Sequence, residues 1–318
     1  MPQPTTMTDH FIPVSDTHTI RVIEVTHPAN DQSGPYVAFM HGGPGSGVNL
    51  EHIDYIDFSY FRVLLIDQRG AGKSTPLGEL RENNLQLLID DVECVREYFD
   101  IDCWYITAGS WGSTLALAYA IKYPQRVQGM ILRGVFLGRE QDTQWLYRAD
   151  GASRFYPEQW REFSLHREWN DSKELLHTYS SDLANQDVET RLNAAYRWIC
   201  WASVSMAIPS AYNELTMQDK RSLHAKASIM CHFLSNKCFL PTSNYILENI
   251  AAIQTIPLWI VHGREDVICP PDIAWTLAQA HGSAHLQYLD NVGHSPSEAK
   301  TRSALMNIFN ELKEAMEA

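Results

Sequence analysis

The stretch Cys103-Trp104-Tyr105-Ile106-Thr107-Ala108-Gly109-Ser110-Trp111-Gly112, continued by Ser113-Thr114-Leu115-Ala116-Leu117-Ala118-Tyr119, decides how the rest of the chain is read. Its first five residues form a short apolar run, the pattern of a buried strand. Residues 113–123 are rich in Ala and Leu and predict a helix that ends before Pro124. A serine therefore sits on a tight strand-to-helix turn between small residues, the arrangement of a nucleophile elbow. The neighbours must be small because the backbone doubles back, and a bulky side chain would meet the adjoining strand and helix. Ala108 stands at the first position of G-x-S-x-G, a departure that still leaves no large side chain. The five residues alone also fit an ordinary turn whose serine caps the helix, so the flanking elements carry the reading.

Upstream, Thr19-Ile20-Arg21-Val22-Ile23-Glu24-Val25 alternates like a half-exposed strand, and a polar turn is expected over residues 28–35. Tyr36-Val37-Ala38-Phe39-Met40 and Arg62-Val63-Leu64-Leu65-Ile66 are continuous apolar runs, as in strands covered on both faces. The first runs into His41-Gly42-Gly43-Pro44-Gly45-Ser46-Gly47, where four glycines in seven residues free the backbone to turn N–H groups inward. Beside an elbow serine, this is the place for an oxyanion hole. The second runs into Asp67-Gln68-Arg69-Gly70-Ala71-Gly72-Lys73-Ser74. Its tail suggests a phosphate-binding loop, but G-x-x-x-x-G-K-[ST] needs glycine where Asp67 stands, and Pro76 and Gly78 interrupt any helix opening there. Leu85, Leu88, Ile89, Val92, Val95 and Phe99 are spaced for one buried helical face. Downstream of the elbow, Gln128-Gly129-Met130-Ile131-Leu132-Arg133-Gly134-Val135 predicts a further strand.

Such alternation specifies a mostly parallel, doubly wound α/β sheet with helices on both faces. Residues 136–250 break it. They hold no strand-like run, only helix-like stretches with Trp145, Trp160, Trp169, Trp198 and Trp201. The alternation resumes with Pro257-Leu258-Trp259-Ile260-Val261, a helix over 273–281, the strand His285-Leu286-Gln287-Tyr288-Leu289 and a helix over about 296–316. We therefore expect residues 1–135 and 251–318 to build one α/β core, with 136–250 inserted as a helical cap rather than standing as a separate domain.

The 318 residues suffice for such a core, and 45% hydrophobic with 20% charged residues is ordinary globular composition. A net charge of −13 argues against nucleic acid or an anionic membrane as partner. Cys94, Cys103, Cys200, Cys231, Cys238 and Cys269 form no C-x-x-C pair, which reads as reduced thiols in a cytoplasmic protein. Residues 1–10 are polar without a signal-peptide core, and no apolar run approaches the ~20 residues of a membrane span. The oligomeric state is not legible.

A serine hydroxyl is a poor nucleophile near neutral pH, so it needs a base, and the base needs an orienting carboxylate. In a doubly wound sheet all three come from loops at the carboxyl ends of strands, in the order serine, acid, histidine. Ser110, Asp266 and His294 satisfy both conditions. Glu265 adjoins Asp266, but only one of the two can face His294. Asp290 lies too near His294 in sequence to approach Nδ1 easily, and His41 is better suited to holding the glycine loop than to acting as base. The oxyanion donors would be the N–H of Trp111 and one from Gly42 or Gly43, each worth ~3 kcal/mol in the transition state. No His/Cys/Asp cluster at metal-ligand spacing is present, and the chemistry needs no metal.

With these residues assembled, the chain resembles the proline iminopeptidases of the α/β-hydrolase superfamily along nearly its whole length. The carriers are His41-Gly42-Gly43-Pro44-Gly45, Asp67-Gln68-Arg69-Gly70, Gly109-Ser110-Trp111-Gly112, Leu132-Arg133-Gly134-Val135-Phe136, Gly151-Ala152-Ser153-Arg154, His262-Gly263-Arg264 with Asp266, and Gly293-His294-Ser295. The resemblance implies the α/β-hydrolase fold, a Ser110–Asp266–His294 triad, no cofactor, and removal of one amino-terminal residue, usually proline, from a peptide.

The segment expected to form the cap departs from that family. Its members hold the substrate's cationic imino group with cap glutamates, one after a Trp-x-x-Trp pair. Here Trp198 and Trp201 are followed by Ala202. The second glutamate lies in an Ile-Glu-Asn-His-Tyr-Phe segment, which here reads Ile229-Met230-Cys231-His232-Phe233-Leu234. Of the aromatic proline pocket Phe136 is kept, while Leu146 and Leu234 replace aromatics. A buried ammonium without a carboxylate costs several kcal/mol. A pocket of Phe136, Leu146, Trp201, Ala202, Met230 and Leu234 is therefore expected to take an apolar acyl group without a free amine, from an amide, ester or thioester of a small molecule or short peptide. The alternatives are an aminopeptidase in which Glu189 or Glu214 supplies the missing charge, and an acyl transferase or cyclase.

Overall fold

The central strands are buried on both faces, and their side chains point alternately into two different cores. The computed structural model describes residues 6–30, 34–169, 171–206 and 210–318. Part of the turn expected over 28–35 and the first five residues lie outside these. Eight strands form one sheet: β1 (Thr6–Pro13), β2 (Thr19–Thr26), β3 (Tyr36–Met40), β4 (Arg62–Ile66), β5 (Trp104–Ser110), β6 (Val127–Val135), β7 (Leu258–Gly263) and β8 (His285–Leu289). Their spatial order is β1-β2-β4-β3-β5-β6-β7-β8. The β1–β2 and β2–β4 pairs are antiparallel and the rest parallel. The order reverses between β3 and β5, so the loops leaving those two strands open a crevice at their carboxyl ends.

Ala38, Met40, Leu64 and Ile66 point into one core, together with α1 (Leu85–Tyr98) and α2 (Trp111–Lys122). Val37, Phe39, Val63 and Leu65 point into the other, as the two-residue period of a strand requires. Between β6 and β7 the chain is helical among the described residues: α3 (Glu140–Tyr147), α4 (Pro157–Phe163), α5 (Ser172–Leu183), α6 (Val188–Ala202), α7 (Met217–Ser235) and α8 (Tyr245–Glu248). The chain then closes with α9 (Pro271–His281), on the first core, and α10 (Ala299–Glu317), on the second. No helix among the described residues is long and apolar enough to cross a membrane.

Strand β1 has no counterpart in the sequence reading. It is an edge strand with mostly exposed side chains, paired to β2 through its backbone. The loop after β4 is equally distinctive. Asp67 accepts the backbone N–H groups of Lys73 in its own loop at 3.0 Å and of Val48 in the loop after β3 at 2.8 Å, so its carboxylate ties the two loops together.

Candidate active site

The elbow is shaped by sterics that the sequence anticipates. Ser110 ends β5 at φ 56° and ψ −130°, in the region non-glycine residues rarely enter, and Trp111 begins α2. A Cβ on Gly112 would lie 2.2 Å from the Met40 carbonyl oxygen, so only glycine lets α2 start this close to β3. Gly42 touches the serine from the other side: a Cβ there would fall 3.1 Å from the Ser110 Cβ and 3.8 Å from its Oγ. The Trp111 N–H opens a helix and has no intrahelical acceptor. The elbow and the glycine loop are thus in contact, as an oxyanion site requires.

His41 locks that loop. The Gln68 backbone N–H donates to Nε2 at 3.1 Å, so Nδ1 carries the proton and donates to the Gly42 carbonyl at 2.8 Å. Gln68 donates back to the His41 carbonyl and accepts from the Trp111 indole at 3.0 Å. Burial holds the His41 pKa below its ordinary value, so the ring is a neutral strut. Gln68 was not singled out from the sequence. Its place just beyond β4, in the crevice, is the signal that could have found it.

Asp266 follows β7 and His294 follows β8. Their side chains meet, Nδ1 to Oδ2, at 2.6 Å in a buried position. The other carboxylate oxygen accepts the Cys269 N–H at 2.8 Å. Burial pushes the Asp266 pKa up, but the His294 charge and hydrogen bond, His262 and the Cys269 N–H outweigh it and hold the carboxyl below its usual range. His262 accepts from the Val135 N–H and donates to the Cys269 carbonyl, fixing the same turn. Gly134 packs under the imidazole, where a Cβ would lie 3.0 Å from His294 Cε1. Glu265 is exposed and Asp290 lies 3.9 Å from the exposed Arg264, so neither competes for His294.

Ser110 and His294 line one cavity of about 420 Å³. It is also bounded by Gly42, Gly43, Phe136, Leu146, Ala202, Met230 and Leu234. Phe136 is held there because Ser113 and Thr114, in the first turn of α2, bond its backbone. Trp201 departs from the expectation: it does not line the cavity. Its indole donates to the Leu146 carbonyl at 3.1 Å and its ring stacks on Phe163 at 5.6 Å, so it buttresses the wall from behind. Lys226, His52, Tyr147 and Arg133 also line the cavity. Lys226 could have been found from Met230, since residues four apart share a helix face. Glu189 and Glu214 are exposed and not among the lining residues.

His52 yields a pH prediction. Burial first, then Arg133, His41 and Lys226, lower its pKa from 6.5 to about 4. The unfolded chain therefore binds this proton below pH 6.5 and the folded chain only below about 4. Stability falls as pH drops through that window, by about 2 kcal/mol after discounting partial exposure. His52→Gln should remove this part of the acid sensitivity in urea denaturation at pH 7 against about pH 4.5. An unchanged difference between the two conditions would refute it.

Comparison with known proteins agrees with the fold. The alpha/beta hydrolase fold family matches residues 35–300. Over 298 residues the chain is 39% identical to a probable proline iminopeptidase of Leptolyngbya boryana, covering 93% of this chain and 91% of that one. It is 38% identical over 305 residues to a proline iminopeptidase of Arabidopsis thaliana, covering 95% of this chain and 79% of the other. Among solved structures it resembles a haloalkane dehalogenase variant from Bradyrhizobium elkanii, with TM-score 0.65, 17% identity and coverage of 98% and 99%. It also resembles a proline iminopeptidase-related protein from Thermus thermophilus, with TM-score 0.59, 21% identity and coverage of 96% and 97%. The chain is a serine hydrolase of the α/β-hydrolase fold and belongs to the proline iminopeptidase family.

Proposed function

We propose that Ser110, His294 and Asp266 form a catalytic triad that cleaves an amide, ester or thioester with an apolar acyl group and no free amine. In this mechanism His294 takes the Ser110 proton as the hydroxyl attacks the scissile carbonyl. The N–H groups of Trp111 and of Gly42 or Gly43 hold the oxyanion. The leaving group takes the proton from His294, and water then releases the acyl group by the reverse sequence. Residues 136–250 act as a cap that excludes bulk water. The six free cysteines favour a reducing, cytoplasmic setting.

One observation carries the substrate assignment. Among the described residues no Asp or Glu lines the cavity over Ser110, while Phe136, Leu146, Ala202, Met230 and Leu234 do. A substrate ammonium would lose its water there without a counter-charge, at a cost of several kcal/mol. The identity to proteins named proline iminopeptidase favours a second reading, release of amino-terminal proline.

A comparison of prolyl-arylamide, its N-acetyl form and short acyl esters separates the two. N-blocked amides and acyl esters are expected to turn over at least about tenfold faster than unblocked prolyl-arylamide, the factor for ~1.4 kcal/mol. Preference for the unblocked arylamide would overturn the proposal. Product mass shows whether water or a substrate nucleophile accepts the acyl group.

A further inference from the structure

The lining of the cavity combines apolar and basic side chains. Apolar side chains reach it from α3, the end of α6 and the second half of α7, as Leu146, Ala202, Met230 and Leu234, and from the core, as Phe39, Phe136 and Ile268. Its basic side chains are His52 beyond β3, Arg133 on β6, His294 after β8, and Lys226 one turn before Met230 on α7.

Lys226 is the unusual member of that set. The protein has 38 acidic and 25 basic side chains, so acid partners are abundant. Lys73, Lys122, Lys237 and Lys313 each have a carboxylate within 4.0 Å. Among the described residues Lys226, which is half-buried, makes no ion pair or hydrogen bond, and its burial lowers its pKa. Lys226 lines the same cavity as Gly42, Gly43, His52 and Ser110. The helix that carries it is fixed against the glycine loop, since a Cβ on Gly45 would lie 3.0 Å from Ile229 Cβ. Ala202 and Met230 line the cavity without a carboxylate, and Lys226 stands one turn from Met230.

We infer that Lys226 anchors a carboxylate on the substrate, separated from the scissile carbonyl by an apolar spacer lying along Met230, Leu146 and Leu234. The inference rests on the acyl-hydrolase reading above and names its substrate class. An anion supplies the charge-assisted hydrogen bond that the protein leaves unmade, and the same ammonium repels an amine-bearing substrate.

The test uses two pairs of esters that differ only in charge. One pair carries the carboxylate on the acyl side: monophenyl glutarate against its methyl-capped twin, with phenol release measured. The other carries it on the leaving side: the butanoyl ester of para-hydroxybenzoate against that of its methyl ester. In the wild-type protein kcat/KM for the carboxylate member of at least one pair should exceed that of its uncharged twin by about tenfold or more, as for one hydrogen bond between charged groups. The responding pair identifies the side on which the anion sits.

Lys226→Met should bring that ratio to about one, Lys226→Arg should keep it, and Lys226→Glu should reverse it. The ratio within one variant is independent of how much of that variant folds. Flat ratios in the wild type, or a preference that survives Lys226→Met, overturn the assignment. If the uncharged esters turn over while both ratios are flat, only the role of Lys226 falls. If unblocked prolyl-arylamide outpaces every ester, the acyl-hydrolase reading falls and this inference with it.

Discussion

Ser110→Ala is expected to lower kcat/KM toward the best ester substrate by roughly a millionfold, the loss seen when a hydrolase nucleophile is removed. It should also abolish covalent labelling by a fluorophosphonate, which needs an activated hydroxyl. The fold should survive. Ser110 is held at φ 56° by the packing of Gly112 on β3 and by the His41–Gln68–Trp111 hydrogen bonds, none of which uses its Oγ. Alanine keeps the Cβ of Ser110, which already packs beside Gly42. The expected signature is therefore a protein with wild-type circular dichroism and thermal midpoint, no label, and hydrolysis near the background set by the oxyanion donors alone. Labelling of the variant at the wild-type rate would move the nucleophile elsewhere and remove the basis for the triad.

The parts of this site visible in the sequence are those fixed by short-range rules. The strands Tyr36–Met40 and Arg62–Ile66 coincide with the apolar runs read from the sequence, and His285–Leu289 with the strand read there. The elbow is legible because backbone crowding demands glycine at 112 whatever else the protein does. Asp266 and His294 are legible because each follows a strand end, and a parallel sheet brings those ends to one edge. Strand β1 was missed because its identity lies in backbone pairing to β2, while its side chains face solvent and carry no strong apolar period.

Trp201 shows a different limit. The Trp198–Trp201 spacing shows that the two side chains share a helix face, but not what covers it. Both indoles are consumed by contacts with Phe163 behind the cavity wall. Lys226 marks the opposite failure. A lysine on an amphipathic helix is ordinarily a solvent contact, and only the docking of α7 on the glycine loop turns this one inward. Residues whose direction is set by packing between distant elements leave little local trace.

Asp266→Asn provides the second large effect, and its hydrogen bonds dictate the outcome. The carboxylate accepts at both oxygens, from His294 Nδ1 at 2.6 Å and from the buried Cys269 N–H at 2.8 Å. An amide has one acceptor and must choose. If its oxygen stays with Cys269, its NH₂ faces Nδ1, which must then accept, and the imidazole proton moves to Nε2. That tautomer cannot take the proton from Ser110, and loss of the correct tautomer in such a triad costs about 10⁴ in kcat. If the amide turns the other way, its NH₂ opposes the Cys269 N–H and leaves a buried donor unmade, a cost of about 1–3 kcal/mol in stability. The first arrangement avoids that penalty, so Asp266→Asn should fold with a nearly unchanged thermal midpoint while kcat and the fluorophosphonate labelling rate fall together by about 10⁴. A variant that retains activity within tenfold would show that Asp266 does not set the tautomer of His294, and the base would have to be sought elsewhere.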